Sequence, residues 1–222
     1  MTMTKWIRDN RGWIVFFALF GLMRTAVADW NYVPSASMRP TLLEGDLVFV
    51  DRVAYDLKVP FTGIALAHLG DPKRGDIVVF SSPKDGTRLI KRLVALPGDT
   101  VEMRDKRLVI NGRAAEYAPR GWVTEPLEGA PVRALRLTEA TPDGERTIQW
   151  LGETPRDSFA PFRVPQGHYL MLGDNRDDSA DSRYFGLVDR RLLTGRAERV
   201  LVSADVLGDW LPRFGRFGRS LR

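Results

Sequence analysis

Two serine hydroxyls stand two positions apart in Ser35-Ala36-Ser37-Met38-Arg39-Pro40-Thr41-Leu42. Pro40 keeps this backbone from continuing as a helix or a central strand, so the segment can present Ser37 at the lip of a rigid domain. A serine is a weak nucleophile until a neighbouring base takes its proton. The chain has no Cys, which excludes disulfides, thiolate catalysis and Cys-based zinc sites. Its two histidines, His68 and His168, are far apart and in no ligand spacing, so no metal site is expected. A Ser37-His168-Asp arrangement is disfavoured because no motif surrounds His168.

The other candidate base is Lys91, in Leu89-Ile90-Lys91-Arg92-Leu93-Val94-Ala95-Leu96. Strand alternation puts Leu89, Lys91, Leu93 and Ala95 on one face. An ammonium on an apolar face loses hydration, its pKa falls, and near neutrality it can accept a hydroxyl proton. Arg92, on the opposite face, stays protonated and cannot act as the base. Taken singly, each stretch also reads as ordinary: a Ser/Pro loop, and a lysine snorkelling from a sheet edge.

A third stretch runs Gly173-Asp174-Asn175-Arg176-Asp177-Asp178-Ser179-Ala180-Asp181-Ser182-Arg183-Tyr184. As a calcium loop it fails, because the EF-hand needs Gly at its sixth position and Glu at its twelfth. A hydroxyl at Ser179 can hold the Lys91 amine, and Asp181 with Arg183 can form a loop-stiffening ion pair.

These residues must be held by strands. Asp46 to Val53, Ile77 to Phe80, Leu89 to Leu96, Val101 to Met103, Leu108 to Ile110, Tyr169 to Leu172, Phe185 to Val188 and Ala197 to Ser203 read as strands. Asp85-Gly86, Pro97-Gly98-Asp99 and Asn111-Gly112 supply turns. No long amphipathic helix separates the strands, so a parallel α/β fold is disfavoured and a mostly β, antiparallel fold expected. Between Arg113 and Pro165 the pattern loosens, with strand-like pieces such as Thr147 to Leu151. The expected organisation is a basic segment 1–12, a membrane anchor helix 13–30, and a catalytic β core over 31–112 and 166–205. A smaller β lobe, 113–165, is inserted in that core, and a basic amphipathic tail, 206–222, follows it.

With 222 residues, a net charge of +5 and a pI near 9.7, the chain suits an anionic membrane surface. No nucleic-acid signature accompanies the charge. Trp13 to Met23 is apolar apart from Gly21, with basic residues before it and Arg24 after. A buried core helix, a cleavable signal peptide ending at Ala26-Val27-Ala28 and an uncleaved anchor compete. The flanking charge and the aromatics Trp30 and Tyr32 favour the anchor, its N-terminus in the cytoplasm. A helix from Trp13 to Ala28 would span about 24 Å, short of the roughly 30 Å hydrocarbon core, and Arg24 would have to snorkel.

Together these stretches resemble the type I signal peptidases, the membrane-anchored Ser-Lys family that removes signal peptides from exported preproteins. Ser35 to Leu42 resembles its nucleophile box and Arg74-Gly75-Asp76-Ile77-Val78 its Gly-Asp box. Ile90 to Asp99 resembles its lysine box and Gly173 to Arg183 its last box. The resemblance implies Ser37 as nucleophile, Lys91 as general base, and an oxyanion hole from the Ser37 N–H and the Ser35 hydroxyl. Ser179 would orient Lys91, while Asp181 and Arg183 hold the loop. It further implies no cofactor, preprotein signal peptides and membrane phospholipids as partners, and small side chains at the first and third positions before the cut. The location implied is the bacterial inner membrane, crossed once, with the catalytic domain on the outer side.

Ala36 replaces a frequent Gly, and Asp178 a frequent Asn whose exchange adds a charge near the base. One apolar segment stands where many Gram-negative members have two. Rival readings are a peptidase of this fold dedicated to one secretion or conjugation substrate, and a non-catalytic peptide-binding β domain. Self-cleaving repressors share the chemistry but need a DNA-binding helical domain, which this N-terminus does not supply.

Overall fold

Runs rich in Val, Ile and Leu, broken by turn dipeptides, pair as antiparallel strands throughout. The computed structural model describes residues 3–59, 62, 64–127, 130–152 and 157–221. Two helices open the described chain, α1 (Met3–Asp9) and α2 (Arg11–Ala26). The principal sheet comprises β1 (Ala28–Tyr32), β2 (Asp46–Asp51), β5 (Ile77–Ser81), β6 (Arg88–Ala95), β14 (His168–Leu172), β15 (Val188–Asp189) and β16 (Leu193–Ser203). Its order is β1-β2-β16-β5-β6-β14-β15. A hairpin, β3 (Asp56–Lys58) with β4 (Ala65–His68), stands apart from it.

The four-stranded sheet contains β7 (Thr100–Arg104), β8 (Arg107–Ile110), β9 (Arg113–Ala114) and β13 (Phe159–Arg163). The three-stranded sheet contains β10 (Glu116–Leu127), β11 (Ala130–Thr141) and β12 (Gly144–Trp150). A short helix, α3 (Ser182–Phe185), lies between β14 and β15.

Apolar residues on both faces of the principal sheet fix its position. Val48, Val50, Ile77, Val79 and Ile90 pack on one side with Met38 and Leu42. Val78, Phe80, Leu93 and Met171 pack on the other with Tyr55 and Tyr169. Met38 and Leu42 are fully buried, and each contributes roughly 1.5–3 kcal/mol by leaving water. They pin the chain immediately after Ser37 to the sheet.

Four expectations need correction. The helix expected over 13–30 ends at Ala26, because Ala28–Tyr32 pairs with Leu47–Asp51 as a strand. No helix among the described residues is long and apolar enough to cross a membrane. Arg24 pairs with Asp29 at 3.2 Å and lies 4.2 Å over the Trp30 ring, so it turns to the protein. Phe185 to Val188 is not one strand, since Gly186, at φ 85°, separates α3 from β15.

The loosely patterned region holds two strands of 12 residues each, β10 and β11. Pro119, Gly121 and Pro126 hid β10, which tolerates them because it is an edge strand with a register shift between Pro119 and Gly121. The ends of 113–165 pair elsewhere: β9 with β8, and β13 with β7.

Two arginines of the basic tail are tied to the domain. Arg213 donates to the Glu44 carbonyl at 2.8 Å and pairs with Asp205 at 2.7 Å. Arg216 pairs with fully buried Asp46 at 2.5 Å, and the Val200 N–H donates to the Arg219 carbonyl at 2.9 Å.

Candidate active site

β1 delivers the chain to a single 3-10 turn, Ala36–Met38, with Ser35 in extended conformation at its start. Such a turn leaves its first N–H groups without partners inside the turn. Ser37 is buried and Ser35 exposed. Their hydroxyls are 3.3 Å apart, Ser35 donating.

Lys91 occupies the middle of β6, opposite Val78 of β5. Its side chain crosses to the turn, where Nζ stands 2.5 Å from Ser37 Oγ. Lys91 is only 3% exposed. Burial pushes its amine down to about 8, although Asp181, Asp174 and Asp178 pull upward; Arg183 adds to the fall. Asp178 therefore acts in the direction that its added charge implied, but burial outweighs it.

The loop after β14 closes over this pair. Asn175 donates its N–H to the Ser37 carbonyl at 3.1 Å and its side-chain amide to the Ala36 carbonyl at 3.2 Å. A side chain at Gly173 would overlap both the Ser37 carbonyl and the Ser179 hydroxyl, so only glycine lets the loop come this near. Asp181 and Arg183 form the expected ion pair at 2.8 Å. Asp181 also accepts from the Gly173 N–H at 3.0 Å and caps α3. Ser179 is buried beside Gly173, but its hydroxyl makes no hydrogen bond among the described residues. The contact expected from it to the Lys91 amine is thus not made.

His168 lies on β14 with its Nδ1 3.0 Å from the Gln166 carbonyl. It has no part in the Ser37 cluster.

Several supporting residues escaped the sequence reading because their partners lie far along the chain. Arg92 forms a bidentate pair with Asp174, at 2.8 and 2.7 Å, and Thr41 donates to the same carboxylate at 2.5 Å. Arg39, two residues after Ser37, is buried between Glu44 at 2.8 Å and Glu125 of β10. Arg176 donates to Glu139 of β11 at 2.7 and 2.6 Å and to the Gly173 carbonyl at 3.1 Å. Asp177 accepts from the Leu151 N–H at 2.7 Å and pairs with Lys106 at 3.0 Å. An abundance of arginines flanking the boxes was the one hint available in the sequence.

A hydroxyl and an amine in this contact, both largely removed from water, can exchange a proton, leaving an alkoxide-like nucleophile beside the N–H groups that open the 3-10 turn. Residues 3–202 match the family described as "Signal peptidase, peptidase S26". Over 221 residues the chain is 35% identical to "Signal peptidase I" of Pseudomonas aeruginosa, covering 92% of this chain and 75% of that one. It is 34% identical to "Signal peptidase I" of Rickettsia prowazekii, covering 91% and 83%. The crystal structure of a signal peptidase I from Enterococcus faecalis V583 is 33% identical, covering 57% of this chain and 97% of that one, with a TM-score of 0.35. The chain belongs to the signal peptidase S26 family and is a signal peptidase enzyme.

Proposed function

We propose that the chain is a membrane-held serine endopeptidase that cuts N-terminal signal peptides from exported preproteins after small-x-small sites, with Ser37 as nucleophile and Lys91 as general base. The observation that carries this reading is the 2.5 Å approach of a buried, pKa-lowered Lys91 amine to the Ser37 hydroxyl.

The neutral amine accepts the Ser37 proton as Oγ bonds to the scissile carbonyl carbon. The resulting ammonium then protonates the departing amine of the mature chain. An acyl-enzyme on Ser37 remains. Water, giving its proton to Lys91, adds to that ester; the Ser37 Oγ–acyl bond then breaks as Lys91 returns the proton to Oγ, freeing the signal peptide as a carboxylic acid. The oxyanion of each tetrahedral step is received by the Ser37 N–H and by the Ser35 hydroxyl, which must turn from Ser37 Oγ to reach it. Asp181 and Arg183 hold the loop over the base. Ser179 acts there as a packing residue against Gly173.

Membrane attachment is supported by the large apolar side chains left in water: Trp13, Phe17 and Leu19 on α2, Leu66 on β4, and Trp210 and Phe214 near the C-terminus are all exposed. A 16-residue α2 reaches about 24 Å, so it embeds with help from its flanks or a thinned bilayer. The location proposed is the bacterial inner membrane with the catalytic sheet on the outer side, in contact with phospholipid and preprotein.

The deciding experiment incubates the purified full chain with a preprotein, beside Ser37→Ala and Lys91→Ala controls, and sequences the new N-terminus. Cleavage after a small-x-small site, absent in both controls, supports the reading. Cleavage retained by either control overturns it. A panel of unrelated preproteins separates general processing from dedication to one substrate.

A further inference from the structure

Beside the Ser37 cluster, which it meets at Pro40, Thr41 and Arg92, a groove of about 580 Å3 runs between the principal sheet, the three-stranded sheet and the C-terminal segment. Five arginines line it, Arg92, Arg120, Arg136, Arg146 and Arg219, against one acid, Glu145. They come from five separate stretches of chain: β6, β10, β11, β12 and the tail. Two are accounted for, since Arg92 pairs with Asp174 and Arg136 with Glu125, both at 2.7 Å. Arg120 donates to a neutral hydroxyl, Thr138, at 2.8 Å.

Arg146 is the informative one. Its side chain is 7% exposed, and Nε donates to Glu139 at 2.5 Å. Glu139 is already gripped by both terminal nitrogens of Arg176. One carboxylate thus serves two guanidiniums, and Arg146, which lines the groove, keeps a buried Nη2 with no acceptor among the described residues. A buried charged donor without a partner is rare and calls for an anionic acceptor.

We propose that this groove is an oxyanion site for a phosphate group, held by Arg146 with Arg120 and Arg219 at its mouth. Phosphate offers several acceptor oxygens to guanidiniums converging from different directions, which one side-chain carboxylate does not. Its source is either a phospholipid headgroup or a soluble phosphate. The site adjoins the Ser37 cluster through Thr41 and Arg92, but no step of the proposed peptidase chemistry uses it.

The test titrates the full chain with inorganic phosphate by calorimetry. It then measures co-sedimentation with vesicles of phosphatidylcholine alone and with phosphatidylglycerol added. Arg120→Gln with Arg219→Gln, both exposed, should weaken binding about tenfold or more, the scale of a lost charge-assisted contact. The charge-matched pair Arg104→Gln with Arg107→Gln, outside the groove lining, should leave it unchanged. Arg146→Lys keeps a cation beside Glu139 but removes Nη2, and should lose binding while keeping the circular dichroism spectrum; the surface pair decides the matter if this variant fails to fold. Phosphate displaced by phosphatidylglycerol vesicles identifies a lipid headgroup, and phosphate bound regardless of vesicles identifies a soluble source. Equal losses in the two double variants would mean diffuse charge and overturn the site, as would binding of an acidic peptide but not of phosphate.

Discussion

Arg176 and Glu139 form a bidentate pair, at 2.7 and 2.6 Å, with both side chains almost wholly out of water. Arg176 sits in the loop that covers Ser37, and Glu139 in the three-stranded sheet. The pair therefore joins the sheet most distant in sequence from the boxes to the loop that shapes the proposed catalytic centre.

Removing one member strands the other. Glu139→Ala leaves Arg176 and Arg146 buried without their shared carboxylate, and should cost about 3–5 kcal/mol in urea unfolding. The arginines hold the Glu139 carboxyl well below its ordinary value of 4.5, against the opposing effect of burial. A carboxylate with a depressed folded pKa contributes its full stability above the unfolded value and loses it as pH falls. Wild-type stability should therefore decline below about pH 4.5, and more steeply than that of Glu139→Gln.

The proposed base must be neutral to act. With the Lys91 amine at about 8, kcat/KM should rise with pH and reach half its plateau near that value. Asp178 pulls the amine upward, so Asp178→Asn should move the rising limb to lower pH. A limb that stays in place or moves up would detach it from Lys91.

Lys91→Met keeps the volume and apolar stem of a 3% exposed residue and removes the amine. Turnover should fall by at least about a thousandfold, the scale seen when one member of a concerted catalytic unit is lost. The melting temperature should hold or rise, since no charge need be desolvated. Retained turnover would reject the dyad.

Ser35→Ala should lower kcat about 10²–10³-fold with little change in KM, the signature of a donor used only in the transition state. An equal effect on KM would instead place the hydroxyl in ground-state binding.

Gly173→Ala would drive a methyl into the Ser37 carbonyl and the Ser179 hydroxyl. Backbone cannot yield as a flexible side chain can, so a loss of about 1–3 kcal/mol is expected with a disproportionate drop in cleavage. Pairing it with Ser179→Ala should recover only part of the loss, because the carbonyl remains.

The parts of the fold legible in the sequence were those whose information is local. Strand alternation located Lys91 on β6, and Asp181 with Arg183 are close enough in sequence for their pairing to be read directly. What escaped depends on distant partners. Arg39 meets Glu125 across 86 positions, and Arg92 meets Asp174 across 82. No periodicity marks such pairs. Strand β10 escaped for the opposite reason: its prolines and glycine spell a loop, and only its place at a sheet edge makes them harmless. The ion pairs of Arg213 and Arg216 escaped because the acids that claim them lie outside the tail.

The double tether of the three-stranded sheet, through Glu125 to Arg39 and through Glu139 to Arg176, has a consequence for anyone redesigning this enzyme. The tip between β11 and β12 is itself tied down, since Asp143 pairs with Arg74 at 2.5 Å. Excising the whole sheet would strip counter-ions from both sides of Ser37 at once. A minimal version of the enzyme has to carry those two glutamates with it, or replace both arginines in the same step.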